Sequence, residues 1–359
     1  MGDWGFVDDS PSPFPNLPIS NLMPDLTDSI HTYLITAPAS GFAGRAVNVR
    51  NHWQGDDNLL WRVDAGNDAA DSDAAVVKLF LDAGQVRGRR QFDGQQIFAP
   101  LGLAPAPLWF DRYPEGLARQ VLIYRWVDGR GLETSSFDDL TALAMSVAAV
   151  HNHDTETVRR ISPRAINLDY FWRILAGGLT PTAVWLEGIG CPHLAEFVRT
   201  LEASAASVVV AALPLWQDAP PTPVHGDLRL THALLQDRRA VLLDWEMFGL
   251  GDAALDVATF LFHEVGALGV AGRMHWLESY CAFMHAPAIA ARIDIYTRLL
   301  PLQRFADLLA GLRQLTPTDR RDPAFRNNMP FLRETLAAAG DAAGANLYIT
   351  AAMPLDEID

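Results

Sequence analysis

The chain has 359 residues, with 28 Lys or Arg against 43 Asp or Glu and a formal charge of −15. Hydrophobic residues make up 49% and charged residues 20%, enough for a sizeable core and too apolar for a chain disordered throughout. The acidic balance removes the basic stripe that a phosphate backbone requires, so nucleic acid is excluded as an expected partner, while a cationic acceptor is compatible with it.

The length fits one large domain or two coupled lobes. Cys191 and Cys281 are too few for a disulfide framework, which makes a reducing cytoplasm the expected setting. Apolar runs such as 207–215 fall short of the roughly 20 residues of a membrane span. The acidic start, 1–9, has neither the basic nor the apolar region of a signal peptide.

In chain order, residues 1–28 carry Pro11, Pro13, Pro15, Pro18 and Pro24 and read as an extended arm. Short Val- and Leu-rich runs at 46–50, 59–63 and 74–80 read as strands, the last two separated by a Gly, Asn and Asp turn cluster at 66–73. Residues 87–99 read as a helix ended by Pro100 and Gly102, and 119–126 as a further strand before Asp128-Gly129. From 130 the pattern turns helical, with segments at 137–151, 194–212, 255–268, 276–284 and 289–312. One β-like island, 223–245, interrupts them. A β-rich lobe at 29–127 and an α-rich lobe at 128–350 are therefore expected, with an acidic tail at 351–359.

Every cationic residue but one is Arg: Lys78 is the only lysine. It lies inside Ala74-Ala75-Val76-Val77-Lys78-Leu79-Phe80, a run that reads as a buried strand, where a solvated lysine is out of place. A compact point charge on a flexible stem is what distinguishes Lys from Arg. The island supplies matching carboxylates. Asp227 (in Val224-His225-Gly226-Asp227-Leu228) and Asp244 (in Leu243-Asp244-Trp245-Glu246) stand at strand ends joined by a hairpin-like segment with its turn at 236–239. One carboxylate can take a proton from a hydroxyl and the other can hold a hard cation.

At these residues the sequence resembles the aminoglycoside phosphotransferase and choline kinase-like family. The resemblance rests on His225-Gly226-Asp227-Leu228, Asp244-Trp245-Glu246, and Gly251-Asp252 followed by Asp256. Lys78 falls on the third strand of the small lobe, where the family keeps its nucleotide lysine. The family has a protein-kinase-like fold, so the resemblance implies a two-lobed α+β architecture with a small β-rich N-lobe and a larger α-helical C-lobe. It implies an enzyme that moves the γ-phosphate of ATP to a hydroxyl with Mg²⁺. In that scheme Asp227 is the catalytic base, His225 holds the catalytic loop, Asp244 is the metal ligand and Lys78 anchors phosphate. Main-chain groups from Arg125 to Val127 hold the adenine. Gly55-Asp56-Asp57-Asn58 resembles the phosphate loop, with Gly55 at the turn and Asn58 at its end; Ser40-Gly41-Phe42-Ala43-Gly44 is a second, weaker candidate. The acceptor is a small molecule or a Ser or Thr of a peptide, and a partner protein is a further option.

Two positions depart from the family pattern. His232 replaces its Asn, a metal ligand in related kinases. Imidazole suits Mg²⁺ poorly, leaving four readings: one metal is lost, Mn²⁺ is accepted, His232 acts on the proton at Asp227, or the ring only fills the site. On the helix after Lys78, Gln91 occupies the slot nearest that of the pairing glutamate; Asp93 is the other choice, about 200° around the helix. These changes support an alternative in which a degenerate fold binds nucleotide, peptide or a partner protein without turnover. His151 and His153 read as helix-end residues, Arg229 as a surface residue or a phosphate contact, and Glu264 and Glu278 as acidic groups for a cationic acceptor. Trp172, Trp185 and Trp276 read as packing rather than acceptor contacts.

Overall fold

The structure is a computed structural model that describes residues 23–55, 58–66, 73–81, 86–286, 288–314 and 334. Most of the expected arm, the turn at 67–72, Asp56-Asp57 and the acidic tail lie outside these residues.

The N-terminal region is a five-stranded antiparallel sheet in the order β1-β2-β3-β5-β4, formed by β1 (Val47–Gln54), β2 (Asn58–Ala65), β3 (Asp73–Phe80), β4 (Pro107–Asp111) and β5 (Val121–Arg125). Successive side chains on a strand face opposite sides. On β3, Ala75, Val77 and Leu79 join the core beneath α1 (Met23–Thr36), with Ile30, Tyr33 and Leu34. Val76 and Phe80 face the other way, with Leu122 and Tyr124 of β5 and Phe92 of α2 (Arg87–Phe98). The same alternation puts Lys78 on this second face, beneath α2.

The C-terminal region holds α3 (Phe137–His151), α4 (Leu168–Gly188), α5 (Pro192–Ala212), α6 (Ala253–His263), α7 (Val265–Phe283) and α8 (Ile289–Gln314) around one large core. Short strands carry the island: β6 (Arg130–Gly131), β8 (Ala233–Gln236) and β9 (Arg239–Leu242) form one antiparallel sheet, and β7 (Thr222–Val224) pairs with β10 (Gly249–Gly251). The expected α+β architecture is present.

Three elements of five residues or more were not legible. α1 starts at Met23, inside the segment read as extended, because Pro24 falls in the first helical turn, where a missing N–H costs nothing. Strand β4 was missed. α4 was hidden by Gly177, Gly178 and Pro181, all poor helix-interior residues. Its Leu168, Phe171, Leu175, Leu179 and Leu186 nevertheless form one buried stripe, and packing outweighs propensity there. The segments read at 255–268 and 276–284 are instead α6 and α7, with Glu264 between them and α7 bent at Gly269.

One stretch, Pro192–Trp216, is long and apolar enough to cross a membrane by length and composition, longer than the run singled out from sequence. Its Leu194, Val198, Leu201 and Val209 are buried in the C-terminal core.

The two regions are joined by packing. Phe98, at the end of α2, is fully buried in the C-terminal core and stacks on Trp245 with ring centroids 4.8 Å apart. Phe98→Ala is expected to destabilise the protein by about 3–5 kcal/mol, read from the midpoint and slope of urea unfolding; a loss below about 1 kcal/mol would show that this joint does not hold the regions together.

Candidate active site

The hairpin of β8 and β9 turns at Asp237 and Arg238, both with positive φ (47° and 65°), which matches the twist of a two-residue hairpin. Asp227 precedes the hairpin and Asp244 follows it. Asp244 itself has φ 58° and ψ 65°, a left-handed conformation that Asp tolerates and that recurs at functional sites. It turns the side chain out of the strand direction toward Lys78.

The ammonium of Lys78 lies 2.8 Å from Asp244 Oδ1 and 2.5 Å from Glu246 Oε1. Lys78 is 2% exposed. Burial opposes its charge, and the two carboxylates outweigh burial, so its pKa is raised. Burial likewise opposes the charge of Asp244, but Lys78 and His232 hold its carboxyl below the usual range. For Glu246 burial dominates and moves the group upward, against the pull of Lys78.

Asp227 is tied to the same place through His225. The buried His225 ring donates from Nε2 to the Leu243 carbonyl (2.7 Å) and accepts at Nδ1 from the Asp227 amide (3.3 Å). Burial lowers its pKa, which keeps the ring neutral. Both ring nitrogens are thus engaged in holding loops. The backbone is anchored from below by Asp256, whose Oδ2 and Oδ1 accept from the amides of His225 and Gly226 (3.0 Å each). Gly226 has φ 85°, and a Cβ there would sit 2.4 Å from the Met247 carbonyl oxygen, so only glycine fits.

Around Asp227, Arg229 Nε approaches Oδ1 at 3.4 Å and the Arg164 Nε donates to the Gly226 carbonyl at 3.0 Å. Arg229 is 6% exposed, which corrects its reading as a surface residue. His232 Nδ1 lies 3.0 Å from the Asp227 main-chain oxygen and 3.6 Å from its Oδ2. A carbonyl only accepts, so Nδ1 carries the hydrogen and the ring supports the loop backbone, with Nε2 left for any other role.

The remaining sequence candidates divide. Asn58 is buried and donates from Nδ2 to Glu246 Oε1 at 3.0 Å, while the Gly55 amide donates to the Asn58 carbonyl at 2.9 Å. The Ser40–Gly44 segment is a turn, closed by Ser40 Oγ on the Leu34 carbonyl. The amides of Arg125 and Trp126 donate to Ala106 and Ala74, and the Arg125 side chain pairs with Asp73. Val127 lies two residues beyond the end of β5.

Gln91 does not pair with Lys78. It is 1% exposed, and among the described residues neither atom of its amide has a hydrogen-bond partner. Asp93 points away, to Arg89 and Arg160. The acidic partner beside Asp244 is Glu246, which sequence reasoning quoted in its motif and gave no role.

Outside the immediate site, His151 is no simple helix-end residue: it is buried between Asp256 (3.1 Å) and the Tyr280 hydroxyl (2.7 Å). Glu264 accepts from the Leu230 amide at 3.0 Å, and Glu278 is exposed. Trp276 is fully buried against Phe260 and Tyr280.

Among the described residues no three His, Cys, Asp or Glu side chains form a ready-made metal cluster. Asp244, with its side chain 31% exposed, fits a hard cation that takes one or two carboxylates and completes its shell from phosphate and water.

Residues 48–292, well over half of the sequence, match the phosphotransferase enzyme family. The chain belongs to that family. Members of this class transfer phosphoryl groups to alcohol acceptors, and this phosphotransferase has the fold that goes with it. Similar solved structures include a choline/ethanolamine kinase family protein from Mesorhizobium loti (18% identity, 89% of this chain and 100% of that one, TM-score 0.55). A macrolide 2'-phosphotransferase, MphH from Brachybacterium faecium, shares 16% identity over 91% and 99% of the two chains, with a TM-score of 0.53. A thermostable mutant of aminoglycoside phosphotransferase APH(4)-Ia, in ternary complex with AMP-PNP and hygromycin B, shares 16% identity over 89% and 100%, with a TM-score of 0.52. No curated protein sequence matches the phosphotransferase.

The neutral His225 ring gives a pH dependence with a definite sign. Below its ordinary value of 6.5 the unfolded chain binds a proton that the folded ring refuses, so stability is full above that pH and falls as the pH drops below it. The urea midpoint is expected to fall between pH 7.5 and 5.5, and to fall less in His225→Gln; equal falls would show that His225 does not carry the effect.

Proposed function

We propose that the chain is a kinase that moves the γ-phosphate of ATP to the hydroxyl of a small molecule. The observation that carries this reading is the contact between the only lysine, buried on β3, and Asp244 of the loop after β9, with Asp227 tied to that loop through His225. Phosphoryl transfer asks a protein for positioning and charge neutralisation rather than for covalent chemistry.

ATP with a hard divalent cation, Mg²⁺ or Mn²⁺, supplies the phosphoryl group when bound. Lys78 neutralises phosphate oxygens as a point charge. Asp244 is the residue that holds the cation, with the main chain from Arg125 to Val127 beside the base and Asn58 at the end of the phosphate loop. Asp227 orients the acceptor hydroxyl and takes its proton as that oxygen bonds to the γ-phosphorus and the bond to the bridging oxygen breaks, with ADP as the leaving group. His225, Asp256 and Arg164 keep its backbone in place. The similarity to proteins described as a macrolide 2'-phosphotransferase, an aminoglycoside phosphotransferase and a choline/ethanolamine kinase family protein favours a small hydroxylated acceptor over a peptide. The alternative, a fold that binds without turnover, drew its support from His232, the neutral Gln91 and the acidic loop at 55–58; the contact of Glu246 with Lys78 answers the second of these.

Two outcomes are expected. ATP at 100 times its Kd, with Mg²⁺ or Mn²⁺, stabilises the protein by about 2.7 kcal/mol in thermal melting; no shift with either metal overturns the nucleotide site. Asp227→Asn lowers kcat by about 10²–10⁴ in an ADP-release assay over a panel of amino-alcohols, macrolides and aminoglycosides, with ATP affinity kept. Transfer left intact would remove Asp227 as the base.

A further inference from the structure

The negative charge that α2 lacks comes from the other region of the molecule. Gln91 is neutral and makes no hydrogen bond to the ammonium of Lys78, which instead shares two carboxylates of the Asp244-Trp245-Glu246 turn. Those carboxylates differ in their surroundings. The Asp244 side chain is 31% exposed and the Glu246 side chain 9%. Beyond Lys78, Glu246 accepts from Asn58 Nδ2 at 3.0 Å and faces Arg87 of α2 at 3.8 Å. A carboxylate open to the cleft can swing onto a cation. One enclosed by a lysine, an amide and a guanidinium stays where it is.

We propose that Glu246 is the positioning residue for Lys78, taking the part that an acidic residue on α2 would otherwise play. The inference deepens the kinase reading and rests on it. It gives the two carboxylates separate tasks: when Asp244 turns to a metal-bound phosphate, Glu246 remains as the counter-charge that keeps the ammonium on the reacting side of β3. It also gives α2 a different route to the site. The helix reaches Glu246 through Arg87, and Gly94 lets its backbone lie against the turn, since a Cβ there would come within 3.0 Å of both Trp245 and Phe248. Asn58 adds the end of the phosphate loop to the same carboxylate, so β2, β3, α2 and the Asp244 turn meet at one side chain.

The solitary lysine makes a direct test available. Protein grown on ζ-¹⁵N-lysine has one side-chain ammonium, and its proton exchange reports how firmly Lys78 is held. In Glu246→Gln, exchange is expected to accelerate at least about tenfold, both in the free protein and with ADP and Mg²⁺. In the same variant kcat falls about tenfold or more, while the apparent Mg²⁺ affinity stays within about twofold. Unchanged exchange overturns the proposal. So does a tenfold loss of Mg²⁺ affinity with the Lys78 signal unmoved, which would make Glu246 a metal ligand. Glu246→Asp, which keeps the charge one methylene further away, is the second variant: faster exchange than in the parent supports the assignment, and exchange equal to the parent's overturns it. The exchange measurement needs no turnover. A parent protein without transferase activity therefore defeats the kinase reading separately, and the pairing of Lys78 stands or falls on its own signal.

Discussion

One buried ammonium organises this molecule. An isolated charge withdrawn from water costs several kcal/mol, and only close, well-placed counter-charges repay it. Lys78 has two, Asp244 and Glu246, and both come from the far side of the cleft. The pairing therefore constrains more than a side chain. It requires β3 to present its second face to α2, the hairpin of β8 and β9 to end in a left-handed residue, and the two regions to close on one another. Removing a partner from such a buried pair costs about 3–5 kcal/mol, so the arrangement that serves chemistry also ties the regions together.

The loops around that pair are held by parts that do no chemistry themselves. Asp256 takes both amides of the His225-Gly226 backbone and is itself held by His151, which Tyr280 meets from the other side. Trp245 packs between Phe98 and His225. This is the physical content of preorganisation: the groups that face the substrate do not have to be ordered when it arrives. It also explains why Asp227, on a loop, is held from both its backbone and its neighbours rather than by one strong contact.

Some of this was legible because it is local. A lysine inside a continuous apolar strand must either pair or unfold its strand. Carboxylates placed at the ends of a short hairpin must come near one another. These patterns depend on backbone geometry over a few residues, and they gave the α+β architecture and most of the helices, and singled out Lys78, Asp227 and Asp244 as candidates. α1 and α4 escaped because Pro24, Gly177, Gly178 and Pro181 are read as breakers wherever they stand, whereas their cost depends on position in the helix and on the stripe that packing buries.

What the amino-acid sequence determined by itself was which chemical groups are present and which local segments carry them: a single lysine on a strand, aspartates at 227 and 244, a glutamine where an acid was expected on α2. Only the tertiary structure decided which of those groups share a charge. Glu246 answers Lys78 across 168 positions of the chain, and His151 answers Asp256 from a helix end. Such pairings follow from how layers pack against each other, and no spacing within one element encodes them, because the energy of a buried charge depends on everything that surrounds it rather than on its neighbours in sequence.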